Sequence, residues 1–248
     1  MSNYFLIIQA RTGSKRFPEK ILKKIFGKPI LEILIDRIKK EIDPTKIILA
    51  TSLNRKDKII CDIAKKKKIK FFRGSENNVM SRFIEIGKIY NLDTIIRITS
   101  DCPLVDPKLI KKMLKIFSKS KIDYLSNTLP FKKKKFPDGS DIEIFRYKSL
   151  IKSKKFTKKS ELEHVTNQLW KKKIFKKRIY LEKMNMSNYR YSLDYPSDFF
   201  VIKKIYYYLK KNNLNGTAKQ IVNFISQNQT LIDIGKKNLE HYLENKKK

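Results

Sequence analysis

The stretch Tyr4–Lys20, YFLIIQARTGSKRFPEK, decides how the rest of the chain is read. It opens as an apolar β-type run that stops at Ala10, and the residues that follow set Arg11, Gly13, Ser14, Lys15, Arg16 and Lys20 around a single proline, Pro18. Glycine and serine let backbone N–H groups approach an anion closely, and the surrounding cations add fixed charge, which is the chemistry of a turn that holds a phosphate chain. The spacing matches neither G-x-x-x-x-G-K-[ST] nor G-x-G-x-x-G, so the two common nucleotide loops are excluded. An exposed basic turn is the alternative reading in a chain with this much lysine.

Working outward from that turn, β-type runs alternate with helical periodicity. Pro29 precedes a stripe of Leu31, Leu34, Ile35 and Ile38. KIILATS (46–52), IKFFRGS (69–75) and TIIRITSD (94–101) read as further strands. The helices after them are marked by Ile59, Ile60 and Ile63, by Val79, Phe83, Ile86 and Tyr90, and by Pro107 with Leu109, Ile110, Met113, Leu114 and Phe117. Repeated units of this kind predict an α/β fold, a three-layer sandwich on a mostly parallel sheet. The rhythm then loosens. KIDYLSNT (121–128), SDIEIFR (140–146) and NYRYSLDY (188–195) read as added strands, and helices are expected over 161–171, 197–211 and 217–227. The expected organisation is one domain over 1–243, with a nucleotide-binding half (1–120), an acceptor-binding and dimerising half (121–243), and a basic, disordered tail (244–248).

The 248 residues are 41% apolar, enough for a sizeable core. Two cysteines, Cys61 and Cys102, and two histidines provide neither a disulfide framework nor a Cys/His zinc site. A reducing cytoplasm is the expected setting, since the start lacks a basic, cleavable leader and no apolar run reaches the ~20 residues that cross a bilayer. The formal charge of +34 points either to a polyanion-binding surface or to compositional drift, because the excess is lysine spread from end to end. Arginine is sparse, and Arg11, Arg16, Arg73, Arg82 and Arg97 stand beside glycines and strand ends.

In open α/β sheets the ligand lies at the carboxyl ends of the strands. Asp101 and Asp194 each close a β-type run, so both carboxylates could hold one Mg²⁺ if the runs are neighbours. Each could equally be a capping acid before a proline-led turn.

Taken together, IIQARTGSKRFPEKIL, GKPILE, FFRGSENNVMSRF, IIRITSDCPLVDP, SN, PDGSDIEIF, ELEHVT and YRYSLDYPSDF resemble, in order, the cytidylyltransferase family of acylneuraminate and 3-deoxy-manno-octulosonate cytidylyltransferases. The likeness is greatest to its spore-coat polysaccharide biosynthesis branch. It implies a Rossmann-like nucleotidyltransferase, often dimeric, that transfers CMP from CTP to a sugar-like acceptor and releases pyrophosphate, with Mg²⁺ as cofactor. By that resemblance Arg11, Gly13, Ser14, Arg16 and Lys20 wrap the triphosphate, with Arg11, Lys20 and Asp101 catalytic. Gly74, Ser75 and Arg82 lie near the nucleotide, Asp101 and Asp194 bind the metal, and Asp141, Glu143 and His164 line the acceptor pocket. His164 is also a candidate base. No specific nucleic acid and no membrane insertion are implied. Two other functions fit parts of the sequence: a glycosyltransferase of related fold, which Asp101 and Asp106 are too far apart to serve as a D-x-D pair, and a basic nucleic-acid-binding protein, which leaves the ordered motifs unexplained.

Overall fold

The structure, a computed structural model, describes residues 3–245. The opening run forms β1 (Tyr4–Gln9), in which Phe5 and Ile7 face one side and Leu6 and Ile8 the other, all buried. A strand apolar on both faces belongs at the centre of a covered parallel sheet, and β1 sits there, between β4 (Ile47–Ser52) and β6 (Thr94–Thr99). Between β1 and β4 a short hairpin, β2 (Lys24–Ile25) with β3 (Lys28–Pro29), leads into α1 (Ile30–Ile38). β5 (Lys70–Gly74) is the edge strand beyond β4.

The sheet continues past β6 with β8 (Glu143–Arg146), β7 (Tyr124–Ser126) and β9 (Lys177–Ile179), giving the order β5-β4-β1-β6-β8-β7-β9. Only β8 runs against the others. One face is covered by α1, α2 (Lys58–Lys66) and α4 (Pro107–Ser118), the other by α3 (Val79–Ile89), α5 (Tyr147–Ser153) and α6 (Asn167–Lys171). These are the three layers expected from the sequence. A further core, built on Leu104, Tyr191, Leu193, Val201, Ile205 and Ile221, gathers α7 (Pro196–Lys211), α8 (Ala218–Ser226) and α9 (Gln229–Asn245) beside the sheet.

Three expectations need correction. NYRYSLDY is not a strand of the sheet, and its single bridge joins Arg190 to Asp138. Its backbone is satisfied by loops instead: Tyr191 N–H donates to Asp138 O at 2.8 Å and Leu193 N–H to Asp101 O at 2.8 Å. Residues 190–194 are buried on both sides, the polar ones among carboxylates, so no ladder is needed to hold them. The helix expected over 161–171 is also interrupted. Leu162 O accepts Met80 N–H from α3, and Thr166 turns its hydroxyl to Glu143, so regular helix starts only at Asn167. Of the expected tail, finally, Glu244 and Asn245 belong to α9 instead; Lys246 to Lys248 lie outside the described residues.

Candidate active site

β1 and β6 end side by side, Gln9 opposite Thr99, so the turn after β1 and the turn carrying Asp101 leave the sheet from one edge. The Leu193–Asp101 backbone bond draws the 190–195 segment to the same place. Lys20 stands at this junction. Its ammonium donates to Leu193 O at 2.5 Å and to Asp194 Oδ1 at 3.0 Å, and lies 3.7 Å from Asp101 Oδ2. The turn and the two distant acids therefore converge. Lys20 is not fully exposed as its loop suggested, since only 12% of its side chain meets solvent.

Asp194 is the most heavily compensated acid of the group. Arg16 Nη2 reaches its Oδ1 at 2.9 Å and Arg190 Nη2 its Oδ2 at 2.8 Å. Burial raises its pKa, but Lys20, Arg190 and Arg16 outweigh that and hold it down at about 2. Arg190, 1% exposed, also pairs with Asp138 and with Asp198 at 3.4 Å. Asp198 accepts the backbone N–H groups of Asp194 and Tyr195 at 2.8 and 2.9 Å, and Asn238 of α9 donates to its other oxygen at 2.7 Å. Tyr242 of α9 covers the cluster: the guanidinium groups of Arg16 and Arg190 lie 5.8 and 5.7 Å from its ring centroid. Burial first, and then Asp194, Asp141 and Asp101, push the Tyr242 hydroxyl up to about 12.

A cavity of about 380 Å³ opens beside this cluster and runs over β8 to α6. Asp141, Glu143 and His164 all line it. Asp141 Oδ1 accepts Thr128 Oγ1–H at 2.7 Å and its Oδ2 accepts Gly139 N–H at 3.0 Å. Glu143 accepts the hydroxyls of Tyr124 and Thr166 at 2.6 and 2.5 Å and pairs with Arg97, whose remaining donors hold Gln9 Oε1 at 2.9 and 3.1 Å. Cys102 lies 3.7 Å from Asp101 Oδ1 and 3.6 Å from Asp141 Oδ2; burial first, then Asp141 and Asp101, keep its thiol protonated.

The other sequence candidates sit outside that cavity. Arg11 pairs with Glu163 at 2.5 Å. Ser14 Oγ accepts Phe17 N–H at 3.4 Å, and Gly13 is exposed near Glu76. Arg82, 1% exposed, turns back to donate to Ser75 O at 2.7 Å and Glu76 O at 3.0 Å, and Gly74 packs so tightly that a Cβ would stand 3.0 Å from Arg82 Cγ. The block after β5 is thus a braced loop, with Arg73 tying it to the carbonyls of Ser52, Leu53 and Asn54. Sequence reasoning did not find Arg190, Asp138, Asp198 or Tyr242. The signal for Arg190 was only its place four residues before Asp194 in a polar-alternating run.

Among the described residues no group of three or more His, Cys, Asp or Glu side chains forms a metal cluster. Two carboxylates that share one ammonium nevertheless fit a hard divalent cation that keeps waters and phosphate oxygens as its other ligands. Residues 5–237 match the cytidylyltransferase family model. The chain belongs to the cytidylyltransferase family. This cytidylyltransferase, and hence nucleotidyltransferase enzyme, is 36% identical over 234 residues to an uncharacterized protein of Methanocaldococcus jannaschii, covering 92% of each chain. It is 34% identical to the spore coat polysaccharide biosynthesis protein SpsF of Bacillus subtilis, over 50% of this chain and 53% of that protein. It is 29% identical to the 8-amino-3,8-dideoxy-manno-octulosonate cytidylyltransferase of a Shewanella species, over 52% and 53%. The chain thus spans about half the length of these last two relatives. Among solved structures, a cytidylyltransferase from Leptospira borgpetersenii superposes with a TM-score of 0.84 at 28% identity, over 94% of this chain and 97% of that one. CMP:2-keto-3-deoxy-manno-octonic acid synthetase complexed with CTP shares the fold, with a TM-score of 0.61 at 14% identity over 83% and 98%.

Proposed function

We propose that this cytidylyltransferase transfers CMP from CTP to a hydroxyl of a sugar-like acceptor and releases pyrophosphate, in the synthesis of a surface polysaccharide or glycan. The observation that carries the reading is the placement of Lys20, held by Asp101 and Asp194 at the end of the sheet where the basic turn leaves β1. The acceptor hydroxyl passes its proton to solvent water and its oxygen bonds to the α-phosphorus of CTP as the bond from that phosphorus to the pyrophosphate oxygen breaks. Little covalent help is needed from protein in such a step, so orientation and charge neutralisation supply most of the rate. Arg11, Arg16 and Lys20 neutralise the triphosphate. Asp101 and Asp194 would hold one Mg²⁺, which when bound would offset charge on the phosphate oxygens. The Arg190–Asp198 network fixes Asp194 so that its oxygens keep their aim. Asp141, Glu143 and His164 orient the acceptor along the cavity floor.

A sugar-like acceptor is supported by the polar lining of the cavity and by the names of the Shewanella and Bacillus relatives. The test is pyrophosphate release across CTP, UTP, ATP and GTP with pooled sugar and sugar-acid acceptors and Mg²⁺. Release that requires both CTP and an acceptor is expected. Preference for another nucleotide would overturn the choice of CTP, and no pyrophosphate release with any nucleotide and acceptor would overturn the transfer itself.

A further inference from the structure

The hairpin β2–β3 and the outer side of α7 form one exposed face that the proposed reaction does not use. Phe26 and Gly27, both at positive φ (+49° and +75°), make the two-residue turn at the hairpin tip. That geometry leaves the Phe26 ring 55% exposed. Beside it, α7 presents Phe200 and Tyr207, 43% and 52% exposed, on the same stripe as the exposed Lys203, Lys204, Lys210 and Lys211. The helical spacing of these residues alternates ring and ammonium along one side. The two elements join, since the Phe26 ring centroid is 6.1 Å from that of Tyr207 and 6.3 Å from that of Tyr206.

Charge on this face has one sign. No acidic residue occurs between Glu19 and Glu32 or between Asp198 and Asp233. Asp36, which approaches the hairpin, is already bridged by Lys28 at 3.3 Å and Lys67 at 2.8 Å. Lys210 stands over the Phe26 ring at 5.3 Å and Lys204 over the Phe200 ring at 5.4 Å. Ring faces covered by ammonium groups are poor platforms for nucleic-acid bases, which bind by stacking on open aromatic faces. The same arrangement suits a lipid surface. Aromatic bodies enter the boundary between headgroups and acyl chains, while long lysine stems lie along them and carry their charge back to the phosphates.

We propose that this face docks the protein on a membrane surface rich in anionic phospholipid, as a peripheral contact. No helix among the described residues is long and apolar enough to cross a membrane, so the face lies on the surface. Each lysine near such a surface adds to the attraction, and the rings add apolar burial that salt does not screen. The contact is separate from the catalytic cluster, so it stands or falls independently of the acceptor and nucleotide assigned above.

The experiment is co-sedimentation of the full-length protein with vesicles of phosphatidylcholine alone or mixed with phosphatidylglycerol. Retention on the mixed vesicles and not on phosphatidylcholine alone is expected. The double variant Phe26→Ser with Tyr207→Ser keeps the net charge, and its partition onto mixed vesicles is expected to fall about tenfold. Lys203→Gln with Lys210→Gln should lower it too and flatten its salt dependence. The urea-unfolding midpoint of both variants should stay at the wild-type value, which confirms that they fold. Equal retention on both vesicle types overturns the proposal. So does a serine double variant that sediments like the wild type, which would reduce the effect to diffuse charge. A serine double variant that loses single-stranded oligonucleotide binding but keeps vesicle binding would assign the face to nucleic acid, and one that dissociates a dimer would make it a contact between copies of the chain.

Discussion

Replacing Arg190 with methionine isolates what the buried guanidinium contributes. The group is 1% exposed and serves Asp138, Asp194 and Asp198 together. Removing one partner of a buried pair costs about 3–5 kcal/mol, because it leaves charge in a medium that solvates it poorly. The stranded acids keep other donors here. Lys20 and Arg16 still face Asp194, Ser192 Oγ still donates to Asp138 at 3.1 Å, and Asn238 with two backbone N–H groups still holds Asp198. The lower end, about 3 kcal/mol, is therefore expected. Against an ordinary stability of ~5–15 kcal/mol the variant stays folded at 25 °C but with much less margin. Urea unfolding, followed by the fluorescence of the single tryptophan, Trp170, reads the change as a lower midpoint at unchanged slope. Arg190→Lys retains charge without the planar fork and should recover only part of the loss. A loss below about 1 kcal/mol for Arg190→Met, the worth of an exposed pair, would refute the view that this guanidinium organises the cluster.

Asp101→Asn is expected to cut Mg²⁺-dependent pyrophosphate release by about 10²–10³-fold while moving the unfolding midpoint little, as its side chain is 34% exposed; full activity would remove Asp101 from the metal site. Asp194 has a folded pKa of about 2 against an ordinary 3.8, so it contributes stability that is present above the unfolded value and is lost as pH falls through the folded one. Unfolding free energies from urea curves across that acid window should drop by roughly 2 kcal/mol more in the wild type than in Asp194→Asn, and parallel pH dependences would contradict the assigned ion pairs. Gly139 sits at φ +102°, and a Cβ there would lie 2.4 Å from Ser192 N, so Gly139→Ala should cost roughly 2–3 kcal/mol; a neutral result would show that the loop carrying Asp138 and Asp141 yields easily.

Most of the first half of the fold was legible because its longer elements are either continuous apolar runs or helical stripes, whereas the short hairpin β2–β3 was not read. β1 is apolar on both faces, and the stripe Leu31, Leu34, Ile35 and Ile38 has helical spacing, although α1 also buries Ile30 and Ile33 in the core beside the sheet. The second half was not, because residues 190–194 alternate like a strand while pairing mainly with loops. Alternation reports which side chains are buried, and buried arginine and aspartate that satisfy one another alternate in the same way as apolar residues do. The nearness of the basic turn to Asp101 could be anticipated from the ends of β1 and β6, since the sheet fixes where those ends lie, but Asp194 reaches them from a loop, through the Leu193–Asp101 backbone bond. Arg82 shows the limit of that reasoning. Its position beside a glycine turn suggests an outward cation, but its guanidinium closes on the carbonyls of Ser75 and Glu76, which no spacing encodes. α9 was missed because its core contacts, Leu231, Ile232 and Ile234, are confined to its start, and its later turns cover polar groups through Asn238 and Tyr242, which leaves a faint pattern.

The ion pair between Lys20 and Asp194 joins positions 174 residues apart. A ribosome adding ~5–20 residues per second releases the lysine roughly 9–35 s before the aspartate. The basic turn and β1 emerge first, and Asp194, the carboxylate shared by Arg16 and Lys20, arrives only when the segment after Met186 is threaded against the end of β6. Asp194 thus reaches Lys20 and Arg16 only after the strands of the sheet have been made, and any product terminated before Asp194 would leave Arg16 without its carboxylate and Lys20 with Asp101 alone.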